Sequence, residues 1–204
     1  MALTHRLLLE LQAPPTQLPT AMQAAHNLCR RGPLSMGIDR IAHSHHDGLC
    51  FAYLTLSQGE HLTHQNLQDL QALWTNIVPE LPLVQMSRLE LVLQVEGCDT
   101  GKTPLHHYVV ETDPEAGWEE EIFRWYDQEH MPGLAAVPGC TLAQRMINHD
   151  AGPRSHACYG LLREDTLGSP PWLAVRGTEW SSRCRPHFTN TRRTMFNTLK
   201  FPVM

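Results

Sequence analysis

Apolar positions along the chain fall into short β-like runs separated by stretches of helical period, and the order of these runs repeats once. Residues 7–11 form an apolar run stopped by Pro14 and Pro15, and residues 108–111 form another stopped by Asp113 and Pro114. Both read as strands. A helix-compatible stretch follows each, at 18–31 and at 115–131. Then come two β-like runs split by a turn. In the first half these are 36–45 and 49–56, joined by Asp47 and Gly48, a hairpin pair. In the second half they are 141–148 and 156–162, joined across Asp150 to Pro153. Second helices are predicted over 62–78 and 169–183, and closing strands over 88–95 and 193–199.

Each half therefore reads β-α-β-β-α-β, the ferredoxin-like plan of an antiparallel sheet with both helices on one face. The predicted division is residues 1–97 and 105–204, with a turn-rich linker at 98–104. Single residues repeat as well: His26 and His130, Arg40 and Arg145, Arg88 and Arg193, Tyr53 and Tyr159, Trp74 and Trp180. One such unit leaves a bare apolar sheet face that must be covered. Two units in one chain cover each other sheet to sheet. The expected fold class is thus α+β, with two tandem repeats closing an intramolecular α/β barrel that encloses room for a small ligand.

The most distinctive segment runs from Trp118 to Pro132. Asp113 is a candidate N-cap with Pro114 at the first helical position. At 100° per residue, Trp118, Ile122, Trp125, Tyr126 and Glu129 share one face, with His130 at its edge. Pro132 is expected to end the helix near His130. Glu129 on an aromatic face would have a raised pKa, and a histidine at a helix C-terminus would be stabilised in its charged form. One reading makes this pair a general acid/base or substrate anchor. The other makes His130 a cap and Glu129 the partner of an arginine. Strand arginines 40, 88, 145 and 193 each need an anionic partner if buried, with Glu129, Asp39 or an anionic substrate as candidates. His106 and His107 open the fifth strand, and alternation sends only one of them inward.

The pattern F-x-x-W-Y-D-x-E-H-x-P, followed by Val137-Pro138-Gly139 and a strand bearing Arg145, resembles the dimeric α/β-barrel superfamily, and within it the EthD-like and related bacterial barrels. The likeness covers residues 105–200 well and 1–100 faintly. It implies two ferredoxin-like units forming a barrel, here fused in one chain. The family's helix histidine falls on His130 and its strand arginine on Arg145. The resemblance implies monooxygenase, isomerase, cyclase, haem-dependent or purely ligand-binding chemistry. His26 lacks the Trp-Tyr-Asp neighbourhood, so the first half reads as a structural cover.

Composition narrows the function further. The 204 residues carry 21 acidic and 16 basic side chains, a formal net charge of -5. With no basic block, a nucleic-acid partner is not expected. No apolar run nears the roughly 20 residues of a membrane span, and the N-terminal stretch reads as a strand rather than a leader. The six cysteines are irregularly spaced and are expected to be reduced, in a cytoplasmic setting. His43, His45 and His46 lack the converging ligands zinc requires and read as solvated residues at a hairpin end. Phosphate-loop, nucleophile-elbow and dinucleotide motifs are absent, and no cofactor is expected from any motif. The resulting expectation is a small-molecule protein, catalysing cofactor-independent oxygenation, isomerisation or cyclisation of a small apolar or aromatic substrate. The alternatives are a non-catalytic binding module, and a haem protein needing little more than one axial histidine. The expected catalytic residues are His130, Glu129 and Tyr126; the expected substrate contacts are Arg145, Tyr159, Trp125 and His107. Exposed helix faces and sheet edges leave homo-oligomerisation open.

Overall fold

The computed structural model describes residues 4–200. Its elements follow the duplicated order. The first repeat contains β1 (Arg6–Gln12), α1 (Leu18–Arg31), β2 (Met36–His43), β3 (Leu49–Leu56), α2 (His64–Ile77) and β4 (Leu83–Glu96). The second contains β5 (His106–Pro114), α3 (Glu119–Trp125), α4 (Met131–Ala135), β6 (Cys140–Asn148), β7 (Ser155–Leu161), α5 (Pro170–Arg176), α6 (Glu179–Cys184) and β8 (Phe188–Thr198). The strands hydrogen-bond in the closed order β1-β3-β2-β8-β5-β7-β6-β4, an eight-stranded barrel. By contacts the chain divides into two compact units. One runs through Leu91 and takes in Asn148–Ala151 and the chain from Phe196; the other comprises Val92–Ile147 and Gly152–Met195.

In the first unit, α1 buries Ala21, Ala24, Ala25 and Leu28, the i, i+3, i+4, i+7 stripe of a sheet-packed helix. A Thr63–Asn66 capping box starts α2, which buries Leu67, Leu70 and Trp74. Both helices pack on Leu7, Leu9 and Leu11 of β1 and on Cys50, Ala52 and Leu54 of β3. Leu8 and Tyr53 face each other on the opposite side of that sheet. His43 departs from the solvated reading: it is fully buried, with Nε2 3.0 Å from the Ala13 carbonyl.

In the second unit, Tyr108, Ala143, Ala157 and Tyr159 pack under the helices. The other face of β5 and β7 carries Val109 opposite Cys158 and Glu111 opposite His156. Glu111 is held there by a two-pronged Arg192 guanidinium at 2.6 and 2.8 Å. Asp113 does not cap α3. It accepts from the Arg154 N–H at 2.7 Å and from Asn190 Nδ2 at 2.9 Å, so β5 extends to Pro114 and the helix starts four residues later than expected. The predicted helix over 169–183 is two helices, because Gly177 stops α5 and the Thr178 hydroxyl caps α6 through the Ser181 N–H.

Candidate functional site

The helix bearing the aromatic motif does not end near His130. A π-helical turn, Tyr126–His130, joins α3 to α4, and the Met131 N–H donates to the Tyr126 carbonyl five residues back. Proline breaks an α-helix by lacking a donor and by crowding the carbonyl four residues earlier. Beside the wider turn, Pro132 is accommodated in the first turn of α4, and the rod runs on to Ala135. His130 is consequently an interior helical residue and not a C-terminal one.

That turn aims Tyr126 and His130 into a hollow on the helix-covered face of the second unit's sheet. Tyr108 and Val110 of β5 and Tyr159 of β7 form one wall. Trp125, Tyr126, His130 and Leu134 form the helical wall. Trp172 and Arg176 enter from α5, one turn apart on a single face. Arg185, Phe188 and Arg193 complete the rim. The hollow measures about 360 Å³ to its mouth.

His130 is 8% exposed, and its Nδ1 has no hydrogen-bond partner. Its ring packs on Trp125 and meets Tyr126 edge-on at 5.6 Å. Burial pulls its pKa down to about 3, helped by repulsion from Arg176 and Arg185. The expectation of a stabilised imidazolium is thus corrected: without the helix end, desolvation and two guanidiniums decide, and the ring is neutral. Burial pushes the phenols of Tyr126 and Tyr159 up, so both stay protonated. The Tyr159 hydroxyl points to Met131 Sδ at 3.1 Å. The Trp172 indole N–H is also buried without a partner.

Of the residues singled out in the sequence, the hollow gathers His130, Tyr126, Trp125, Tyr159 and the strand arginine Arg193. It does not gather Glu129, Arg145 or His107. Glu129 accepts from the Trp125 indole at 3.1 Å and from the Thr178 hydroxyl at 2.6 Å, fastening α3 to the start of α6. Arg145 forks onto Asp127 at 2.8 and 2.9 Å and lies 4.6 Å over the Phe123 ring. His107 is fully buried on the face of β5 turned away from the helices, opposite Gly160. Sequence reading missed Trp172, Arg176 and Arg185. The four-residue spacing of Trp172 and Arg176 was a legible signal, whereas Arg185, beyond the predicted helix, carried none.

Among the described residues, Arg176, Arg185 and Arg193 have no carboxylate partner. Burial lowers the Arg185 pKa, and repulsion from Arg176 and Arg193 adds to it. No group of three or more His, Cys, Asp or Glu among the described residues could hold a metal ion. No helix among them is long and apolar enough to cross a membrane.

No protein-family model matches the chain, and no curated protein matches it in sequence. Solved structures do match. An anthrone oxidase-like protein superposes with a TM-score of 0.68 at 11% identity, covering 97% of this chain and 92% of its own. A chlorite dismutase variant from Candidatus Nitrospira defluvii, solved with cyanide, gives 0.61 at 8% identity, covering 96% and 90%. A ferredoxin-fold protein from Listeria monocytogenes, related to antibiotic biosynthesis monooxygenases, gives 0.51 at 10% identity, covering 97% and 96%. These neighbours, the closed strand order and the repeated β-α-β-β-α-β plan together give this chain the fold of the dimeric α/β-barrel superfamily, with both ferredoxin-like units in one polypeptide.

Proposed function

We propose that the hollow binds a small aromatic molecule with an acidic C–H bond, and that His130 takes that proton so that the substrate anion reacts with O2. The carrying observation is a neutral, buried His130 with an unpartnered ring nitrogen, set among aromatic walls. The guanidiniums that repel a proton from the empty site stabilise the anion left behind when His130 accepts one. That anion passes an electron to O2, and the radical pair joins through a C–O bond. The peroxide takes the proton back from His130. His130 then removes the second C–H proton as the O–O bond breaks, and the departing hydroxide leaves as water. The sum is CH2 plus O2 giving C=O plus H2O. Aromatic walls keep bulk water from the reactive anion.

The anthrone oxidase-like and monooxygenase-related neighbours support this reading at the level of fold. Isomerisation and cyclisation share its first proton transfer. A non-catalytic module has no need of a buried, unpartnered ionisable group in the wall of the hollow. For haem, His130 is a suitable axial ligand type. The hollow, about 360 Å³ to its mouth, is at the small end of ligand sites and a poor fit to a porphyrin, so no step is assigned to that group.

The test is O2 consumption by the purified chain with oxindole, 2-tetralone and anthrone as probes of rising size. Uptake of one O2 per carbonyl formed is expected, falling about a hundredfold or more in His130→Phe, the usual scale of a lost general base. Absence of uptake with every probe, or uptake unchanged in His130→Phe, sinks the reading.

A further inference from the structure

Arginines elsewhere in this chain are paired with carboxylates. Arg6 and Arg40 meet Asp39, Arg88 meets Asp150, Arg145 meets Asp127, Arg154 meets Glu119, and Arg192 meets Glu111. Arg124 and Arg183 share Glu121, and Arg163 takes Asp165. Among the described residues the exceptions are the exposed pair ending α1, Arg30 and Arg31, and the three arginines of the hollow. Arg193 is instructive. Its neighbour Arg192 reaches Glu111 on one face of β8, while Arg193 turns to the other face and finds no acid.

Three guanidiniums on one rim repel one another, and Arg185, only partly exposed, takes repulsion from both of the others. Such an arrangement is costly unless an anion completes it. The transient negative charge of one oxygenation step does not require three permanent cations. Behind the rim lie two more unsatisfied groups, His130 Nδ1 and the Trp172 indole nitrogen, both buried.

We infer that Arg176, Arg185 and Arg193 form an anion subsite, and that the aromatic ligand of this hollow carries a permanent carboxylate which they hold at the mouth. The inference rests on reading the hollow as an aromatic-ligand site, and it names the class of that ligand: an aromatic acid whose ring lies in the hollow lined by Trp125, Tyr126 and Phe188. A guanidinium receives a carboxylate through two parallel N–H donors, which fixes the ring's orientation as well as its charge. The acid then presents its far edge to His130.

The test uses the full chain and a matched pair of probes, salicylate and salicylamide, followed by tryptophan fluorescence and calorimetry at low salt. Salicylate is expected to bind at least about tenfold tighter than salicylamide, the scale of a charge-assisted contact, and to weaken as salt is raised. Arg185→Gln and Arg193→Glu are each expected to cost salicylate about tenfold or more while leaving salicylamide within about twofold. Arg163→Ala, at an exposed arginine already paired with Asp165, should change neither. If Arg185→Gln fails to fold, the exposed Arg193→Glu carries the test. The inference is overturned if salicylate does not bind at millimolar concentration, if the amide binds as tightly, or if the arginine variants bind both probes as the parent does. It is overturned equally if inorganic phosphate displaces salicylate at the same concentration, which marks a general oxyanion trap. Arginine-dependent salicylate binding without O2 uptake by any probe would remove the oxygenation reading and leave the anion subsite standing.

Discussion

The His130 imidazole lies against the Trp125 indole with ring centroids 4.2 Å apart and planes 26° from parallel. The contact is made by a ring that stays neutral far below its ordinary pKa of 6.5, at about 3. Above pH 6.5 both folded and unfolded chains hold this histidine neutral, and it contributes nothing to pH dependence. As pH falls below 6.5, the unfolded chain takes a proton that the buried ring refuses. Stability is therefore lost progressively from about 6.5 down to about 3. Between pH 7 and pH 5 the parent should lose about 2 kcal/mol more than His130→Phe. His43 is also held below its ordinary range by burial, but it is common to both proteins and cancels. Urea titrations of the pair at the two pH values check this; equal losses would show that His130 is not held neutral.

The sequence put His130 first as proton carrier with Glu129 in support, and the two have different surroundings in the structure. Glu129 is occupied by the Trp125 indole and the Thr178 hydroxyl, whereas His130 Nδ1 is unpartnered. Glu129→Gln keeps an acceptor for both donors. It should retain turnover within about fivefold, against the hundredfold or greater loss expected of a missing base. Steady-state O2 uptake by the two variants checks this. The reverse ranking would move the proton to Glu129.

The order of strands and helices was legible because alternation, helical period and turn residues all agreed on it. Which sheet face each residue takes was not. Tyr53 and Tyr159 looked equivalent in sequence, yet Tyr159 packs under the helices and Tyr53 turns the other way. A sheet side chain changes face with a one-residue slip, so an offset that drifts by one residue keeps the elements aligned and inverts the side chains. Arg145 and Arg40 part company for the same reason, the first over Phe123 and the second 5.7 Å over Tyr53. The π turn was equally hidden. Pro132 reads as a stop signal, and only the bond from Met131 back to Tyr126 shows the helix continuing. The placing of the hollow followed from these details: the fold led to an expectation of space enclosed by the sheets, and the cavity lies beneath the helices.

Arg145 has a structural role that can be separated from the site. Its side chain is 5% exposed, and Asp127 is its carboxylate partner. Asp127 is 39% exposed, so water reaches one side of the pair, and removing the acid costs about 1–3 kcal/mol, the scale of a charged hydrogen bond left unmade. Asp127→Ala should lose stability on that scale, while the folded fraction binds salicylate within about threefold of the parent. Denaturation midpoints and titration at low temperature check both halves. A selective loss of binding would return Arg145 to the site.

Gly133 sets how closely α4 meets α5. A Cβ there would come 2.9 Å from Val175 Cγ1 and 3.2 Å from Cγ2. Valine is stiff about its first side-chain torsion, so Gly133→Ala must push α5 outward. Overpacking of this kind costs about 1–3 kcal/mol, set against a gain of up to about 1 kcal/mol in helix propensity. The net effect should be a small destabilisation. Val175 is one residue from Arg176, so the shift should also weaken salicylate binding. Val175→Ala removes the obstructing methyls, and combining it with Gly133→Ala should recover much of both losses. The two single changes and the double form a cycle whose coupling energy is expected to be about 1 kcal/mol and favourable. Additive losses in stability, with no recovery of binding, would show that this helix contact does not position the arginine rim.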